Sequence, residues 1–165
     1  MATATKKNAT ASHDAIQLLT ADHKEVKALF KAYEQLVKAE GEDEERQELA
    51  MEICTKLTVH ATVEEELFYP AARDVLEDDE DLVDEADVEH ACAKDLIAQI
   101  MESAPDDPLY DAKVKVLGEY IDHHVKEEEG EMFPKVKKSE LDVAALGEEM
   151  ALRKDELLAE MTQAE

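Results

Sequence analysis

The chain has no tryptophan, its aromatics amount to only 4%, and four glycines and four prolines punctuate 165 residues. A β-sandwich or barrel needs frequent turns, so this scarcity of turn formers argues against one and favours long helices. Two cysteines are present, Cys54 and Cys92, both inside helical patterns and neither with a CxxC partner. They read as free, buried thiols in a reduced compartment, not as a disulfide or a thiolate zinc site. No run of about 18 apolar residues occurs, which leaves no candidate membrane span. The first ten residues lack the apolar stretch of a signal peptide, so a cytoplasmic protein is expected. Positive charge is scarce too: 18 Lys and Arg stand against 43 Asp and Glu, a net charge of −25. That balance argues against a nucleic-acid backbone or an anionic membrane as partner.

What is present is helical periodicity. Residues 1–11 are small, polar and aperiodic and read as a disordered arm. Ser12 is placed to cap a first helix with Ile16, Leu19, His23, Val26, Phe30, Tyr33 and Val37 on one face. Gly41 and the charged run Glu42 to Arg46 break it. A second helix carries Ile53, Leu57, His60, Val63, Glu64, Leu67 and Ala71, with Pro70 expected to kink or end it. After an acidic loop, Glu77 to Asp81, a third carries Leu82, Val83, Ala86, His90, Ala93, Ile97 and Met101. Ala104 to Pro108 is a breaker. The fourth carries Val114, Leu117, Ile121, His124, Glu128 and Met132 and is expected to end near Pro134. Short connections between four helices predict an all-α, up-down-up-down antiparallel four-helix bundle over residues 12–138. Residues 139–165 form an additional amphipathic helix, with Leu141, Ala145, Glu149, Leu152, Leu157 and Met161 as its stripe. It is expected to pack on the bundle, the alternative being contact with a partner chain.

The second and fourth helices say one thing twice. His60-Ala-Thr-Val-Glu64 ends in Phe68-Tyr69-Pro70, and His124-Val-Lys-Glu-Glu128 ends in Met132-Phe133-Pro134. His, Glu and Pro recur at one constant offset. In an α-helix, residues four apart lie about 40° apart on one face and roughly 6 Å along the axis, so imidazole and carboxylate reach a common volume. Polar residues that break apolar faces number one histidine per helix plus two carboxylates: His23, His60, Glu64, His90, His124 and Glu128. A lone histidine on an apolar face is ordinarily a hydrogen-bonded core residue. Four on consecutive helices, two of them in a repeated HxxxE, are better explained as metal ligands, because burying them unpaired costs several kcal/mol.

Four imidazole nitrogens and two bridging carboxylates divide into four donors for each of two ions. A solvent-derived oxo or hydroxo bridge adds one more and leaves room for an exogenous ligand. Nitrogen and oxygen donors suit iron, manganese or zinc. An open mixed site fits dioxygen, peroxide or nitric oxide chemistry at iron better than a closed structural zinc, which prefers Cys and His. A ferritin-like site needs Glu-x-x-His pairs, whereas here His precedes Glu by four.

Asp22-His23, His60-xxx-Glu64 with Phe-Tyr-Pro, His90 after an acidic turn, and the run His123-His124-Val-Lys-Glu-Glu-Glu-Gly-Glu-Met-Phe-Pro134 resemble the hemerythrin-like, or HHE cation-binding, domains over about residues 13–137. The resemblance implies a four-helix bundle around a non-haem di-iron centre, with Glu64 and Glu128 bridging and His23, His60, His90 and His124 terminal. Two departures stand out. Oxygen-carrying hemerythrins have a second histidine four residues after the one matching His90, where this chain has Lys94. They also use an aspartate bridge five residues after the last histidine, where this chain has Glu128 at four. One imidazole fewer leaves the site open to an exogenous ligand or to a tyrosine, and moves the expected role from oxygen transport toward redox chemistry or iron handling.

His123 stands beside His124 and, counted to Glu128, satisfies the carrier spacing of five. The repeat and the stripe favour His124 and leave His123 at the boundary. His13 reads as solvent-exposed. Glu65, Glu66, Glu127, Glu129 and Glu131 are solvated faces or orient the imidazoles. Tyr33, Tyr69, Tyr110 and Tyr120 read as core or boundary. The expected function is a di-iron protein for dioxygen, peroxide or nitric oxide, enzyme or not. Iron storage, sensing or buffering without turnover is the alternative, and a purely structural bundle the third.

Overall fold

The computed structural model describes residues 13–164. The arm read over 1–11 and the cap suggested at Ser12 lie outside them. Helix α1, Ala15–Lys38, is capped instead by Asp14. Its carboxylate accepts from the Gln17 N–H at 2.8 Å while Gln17 Oε1 accepts from the Asp14 N–H at 3.1 Å, a reciprocal capping box. At the far end the Gly41 N–H reaches Leu36 O and the Glu40 N–H reaches Val37 O. This is a Schellman closure, in which the left-handed residue is Glu40, at φ 52°. Gly41 serves the turn by its size, since a Cβ there would collide with the Leu36 side chain.

Helix α2, Asp43–Val63, opens on Asp43, Glu44 and Glu45, acids that suit the positive end of the helix dipole. It does not stop at the proline. A single π turn, Glu64–Phe68, leads into α3, Tyr69–Val75. Pro70 lacks an N–H and its ring would clash with the carbonyl one turn back. The π turn absorbs both problems: the Tyr69 N–H bonds Glu64 O, five residues back, and the rod continues. Helix α4, Glu80–Met101, returns, and α5, Tyr110–Glu127, follows the Pro105–Pro108 breaker. A second π turn, Glu128–Met132, then passes Pro134 into α6, Phe133–Lys138. The short helical continuation expected from Ala71 to Leu76 is present as α3, whereas the end expected near Pro134 is corrected to Lys138: each proline sits in the first turn of a continued helix.

Helices α1, α2, α4 and α5 pack each on the next, and α5 packs on α1, closing a ring of four. The described residues contain helices and no strand, and the up-down course expected from the short connections is compatible with this ring. Helix α7, Val143–Gln163, lies along α1 and α2. Its buried face is Leu146, Gly147 and Met150, one residue out of register with the expected stripe, and Leu152 stays 67% exposed. Gly147 decides that register, because a Cβ there would fall within 2.6 Å of the backbone of Asp14 and Ala15. The expectation of two buried thiols is half corrected: both cysteines are free, Cys54 is buried and Cys92 is exposed. No described helix is long and apolar enough to cross a membrane.

The core is in two pieces. One gathers Ile16, Leu19, Val63, Phe68, Val83, Phe133, Val136 and Met150, and the other Val26, Ile53, Leu57, Ile97, Val114 and Leu117. All four interrupting histidines fall in the layer between them, flanked along each helical rod by residues of both clusters.

Candidate metal centre

His23 stands between Leu19 and Val26 on α1, His60 between Leu57 and Val63 on α2, His90 between Ala86 and Ala93 on α4, and His124 beyond Leu117 on α5. All four are buried, as are Glu64 and Glu128, which retain 0% and 1% exposure. The structure thus brings together all six side chains singled out in the sequence. His13 and His123 are exposed and outside the set.

Each imidazole has an inner and an outer nitrogen. The four Nε2 atoms point inward. Glu64 Oε1 lies 2.7 Å from His60 Nε2 and 3.6 Å from His90 Nε2. Glu128 Oε1 lies 2.7 Å from His124 Nε2 and 3.5 Å from His23 Nε2. Each carboxylate thereby spans two helices. Two groups of donors result, His23–His60–Glu128 and Glu64–His90–His124, each with ligand atoms within 4.8 Å of one another.

The four Nδ1 atoms point outward, and every one meets a carboxylate. His23 Nδ1 is 3.1 Å from Glu129, His60 Nδ1 3.1 Å from Asp22, His90 Nδ1 3.0 Å from Glu65 and His124 Nδ1 2.5 Å from Glu89. Such a partner fixes the ring plane and leaves Nε2 as the free donor, the carboxylate–histidine arrangement of metal sites. Of these four acids, Glu65 and Glu129 had been read as solvated or orienting residues. The sequence pattern assigns no such orienting role to Asp22 or Glu89. A signal for both was available: each immediately precedes a site histidine, Asp22-His23 and Glu89-His90, and serves the histidine of the next helix.

Two further side chains join the set from unexpected places. The Tyr69 hydroxyl lies 3.1 Å from His90 Nε2, and 3.4 Å from both His124 Nε2 and Glu128 Oε2, although it had read as core or boundary. Lys154, on α7, donates to Asp22 at 2.5 Å, so the last helix ties into the carboxylate behind His60. Neighbouring Arg153 binds Glu66. Lys94, where carriers have histidine, donates to Glu65 at 2.5 Å and stays out of the donor set.

Charge in the layer follows from these pairs. Burial alone would discharge His60, but Glu64 and Asp22 outweigh it and push its pKa up to about 10. At His124 burial is likewise overcome, by Glu128 and Glu89, and the pKa rises to about 11. Burial works against the Glu128 carboxylate, yet His124 and His23 hold it well below the usual range. Tyr69 is kept a neutral phenol by burial, then by Glu64 and Glu128.

The donors fit a metal on an observation independent of spacing. His23 Nε2, His60 Nε2, both oxygens of Glu64 and Glu128 Oε1 are fully buried and lack an aligned hydrogen-bond partner. Their close approaches are ion-pair distances without hydrogen-bond alignment. Five such atoms in one layer, held by ion pairs but without aligned hydrogen bonds, form a donor set that a cation would gather. Against the four histidines lies a small, partly open cavity of about 30 Å³ whose other walls are mostly apolar, among them Val26, Leu57, Ala93, Ile97 and Ile121.

Known proteins share this fold and sequence pattern. The family model described as the hemerythrin HHE cation-binding domain matches residues 14–136. A solved structure, that of an HHE cation-binding domain-containing protein from Mycobacterium kansasii, superposes with a TM-score of 0.70 at 26% identity, covering 88% of this chain and 87% of that one. A curated relative, a protein named DNA nickase from Nostoc sp., is 30% identical over 118 residues. The match takes in 70% of this chain, which spans only 31% of that protein.

Proposed function

The chain belongs to the hemerythrin HHE cation-binding domain family, and on that premise we propose that it carries a non-haem di-iron centre that binds or reacts with dioxygen, peroxide or nitric oxide. The observation that carries this reading is the pair of fully buried carboxylates, Glu64 and Glu128, each placed between inward Nε2 atoms of two helices with at least one oxygen lacking an aligned hydrogen bond. His23 and His60 with Glu128 would hold one ion, and His90 and His124 with Glu64 the other. Each glutamate lies near an inward Nε2 of both groups and would be shared between the ions, with a solvent-derived oxygen filling a remaining position. The ions supply the electron transfer to the small ligand, so no protein nucleophile is needed.

The chain's own residues do the rest. Glu129, Asp22, Glu65 and Glu89 hold the four rings in the tautomer that presents Nε2. The apolar cavity admits a ligand the size of a diatomic and disfavours bulk water. The two halves are unequal. Tyr69 offers a hydroxyl beside His90 and His124, whereas its repeat counterpart, Phe133, stacks on His23 with ring centroids 5.8 Å apart. The His23–His60 side, without a protein oxygen beyond the bridges, is the open one.

A net charge of −25 favours a second reading of the same centre, as an iron buffer or sensor without turnover, because an acidic surface concentrates cations. The same charge opposes contacts to a phosphate backbone.

Anaerobic reconstitution with ferrous iron, an iron count, and a visible spectrum before and after dioxygen or peroxide test the proposal. Two irons per chain are expected, lost in His60→Ala and in Glu128→Ala. Dioxygen evolved from peroxide identifies an enzyme, a spectrum that survives repeated deoxygenation a carrier, and iron released to a chelator without turnover a buffer. A wild-type chain that takes up no iron refutes the centre.

A further inference from the structure

The inner ligands have an outward counterpart displaced by one residue. His123-xxx-Glu127 is an HxxxE in the register just ahead of His124-xxx-Glu128, and Glu89 stands just ahead of His90. One residue turns an α-helix by about 100°, so this second set faces away from the layer, toward the solvent side of α4 and α5.

We propose that Glu89, His123 and Glu127 form a third divalent-cation site, which takes a ferrous ion from solvent and passes it to the His124–Glu128 side of the centre. The binding site stands on its own geometry, and only the delivery role rests on the di-iron reading. One ligand atom from each residue lies within 4.8 Å of the others. His123 Nε2 is 3.1 Å from Glu127 Oε1 and 3.4 Å from Glu89 Oε1. Among the described residues no lysine or arginine pairs with Glu89 or Glu127; their ion-pair partners are histidines. Nearby cations are engaged elsewhere: Arg73 with Asp84 and Asp87, Lys94 with Glu65, and Lys126 with Asp122. Two carboxylates converging on one imidazole, with no fixed positive charge, are what a divalent cation would neutralise.

Three protein donors, one nitrogen and two oxygens, leave the remaining positions to water, which suits an exchangeable ion rather than a structural one. His123 is 66% exposed along its side chain, so a hydrated ion reaches it directly. The inner connection is also present. Glu89 and Glu127 share a narrow crevice with His124, Glu128, Leu82, Ala86 and Met132. Glu89 contributes one oxygen to the outer site and the other to His124 Nδ1. An ion leaving His123 therefore has carboxylates on its path and apolar walls on either side.

The test uses Mn²⁺ as the probe on the full, iron-loaded chain, with free Mn²⁺ read by its paramagnetic resonance signal. One further equivalent per chain is expected for wild type, and none for His123→Ala/Glu127→Gln. In stopped flow the same variant should load iron about tenfold more slowly, to an unchanged final count, as expected for loss of a charge-focusing entrance. If that variant loses helicity, His123→Gln/Glu127→Gln repeats both measurements. Absence of the extra Mn²⁺ in wild type, its persistence in the variant, or an unchanged loading rate overturns the proposal. The His60→Ala chain separates the two readings: with the inner centre disabled, it should still bind one Mn²⁺.

Discussion

Metal loading of this chain should release protons, and the structure sets how many. In the metal-free fold His60 and His124 have pKa values pushed up to about 10 and 11, because Glu64 with Asp22, and Glu128 with Glu89, outweigh the effect of burial. Both rings are therefore protonated at neutral pH, and both must give up the Nε2 proton to become ligands. Glu128 is already ionised and contributes none. About two protons per chain should leave at pH 7, and apparent affinity should rise about a hundredfold per pH unit from pH 7 to 9, tenfold for each proton. The sign is opposite for the metal-free fold. Folded pKa values raised above the ordinary histidine value give stability that is complete below about pH 6.5 and is lost as pH rises through 10 to 11. The melting temperatures of loaded and metal-free chain should therefore diverge as pH increases. Zn²⁺ serves as a redox-silent probe, with calorimetry in two buffers of different ionisation enthalpy giving the proton count. A count near zero, or affinity flat across pH 7 to 9, would mean that these imidazoles are not the ligands.

The remaining predictions concern single side chains. Tyr69→Phe should keep the iron count and change the visible spectrum, since the hydroxyl 3.1 Å from His90 Nε2 is the one protein oxygen added to that half; an identical spectrum would leave Tyr69 with a packing role only. Glu40→Gly should stabilise the fold by about 0.5–1 kcal/mol in urea melts, the left-handed penalty at φ 52° less the extra freedom glycine has when unfolded. Gly147→Leu should lift α7 off α1, because the added atoms meet the backbone of Asp14 and Ala15, and amide exchange in α7 should speed up while α4 stays protected. Iodoacetamide at pH 8 should label one thiol of the native chain: Cys92 is exposed, whereas burial pushes the Cys54 thiol up to about 11. Two labels without denaturant would contradict the packing around Cys54.

Much of the site could be read from the sequence because its residues violate a strong pattern. A histidine where Leu belongs, on each of four amphipathic stripes, must meet the other three when the stripes close on one another, whatever the details of packing. The same reasoning separated His124 from the adjacent His123, since one residue on a helix changes the face. The carboxylates behind the rings were harder. Asp22, Glu65, Glu89 and Glu129 lie at the edges of stripes in a chain with 43 acids, so their composition carries no signal and only their position beside a site histidine does. Lys154 could not be found at all, because its role depends on how α7 docks. Leu141 and Leu157 of the expected stripe do pack against the core, but the closest approach of α7 to α1 is at Gly147, which no apolar pattern marks.

The two prolines show why Tyr69, buried in the core as its stripe implies, also reaches the site. At α-helical pitch a residue five positions after Glu64 lies about 140° around the axis, off the face that holds the glutamate. Pro70 cannot sit at that pitch without clashing with the carbonyl of Glu66, and the chain resolves this by closing one turn over five residues. The residue five after the glutamate then returns to the glutamate's own face. Tyr69 and Phe133 both make that return, which puts a hydroxyl against His90 on one side and a phenyl ring against His23 on the other. The prolines, which the sequence suggested as terminators, thus decide which side chain completes each half. They also make a repeat that is symmetric in His, Glu and Pro unequal in the donors it offers. On the proposed di-iron reading, that inequality would give the two metal positions different donor sets. Moving the phenol across, with Tyr69→Phe and Phe133→Tyr together, should transfer the spectral contribution of Tyr69 to the His23 side and slow ligand entry there. A double variant that binds ligand as fast as wild type would show that the open position lies elsewhere.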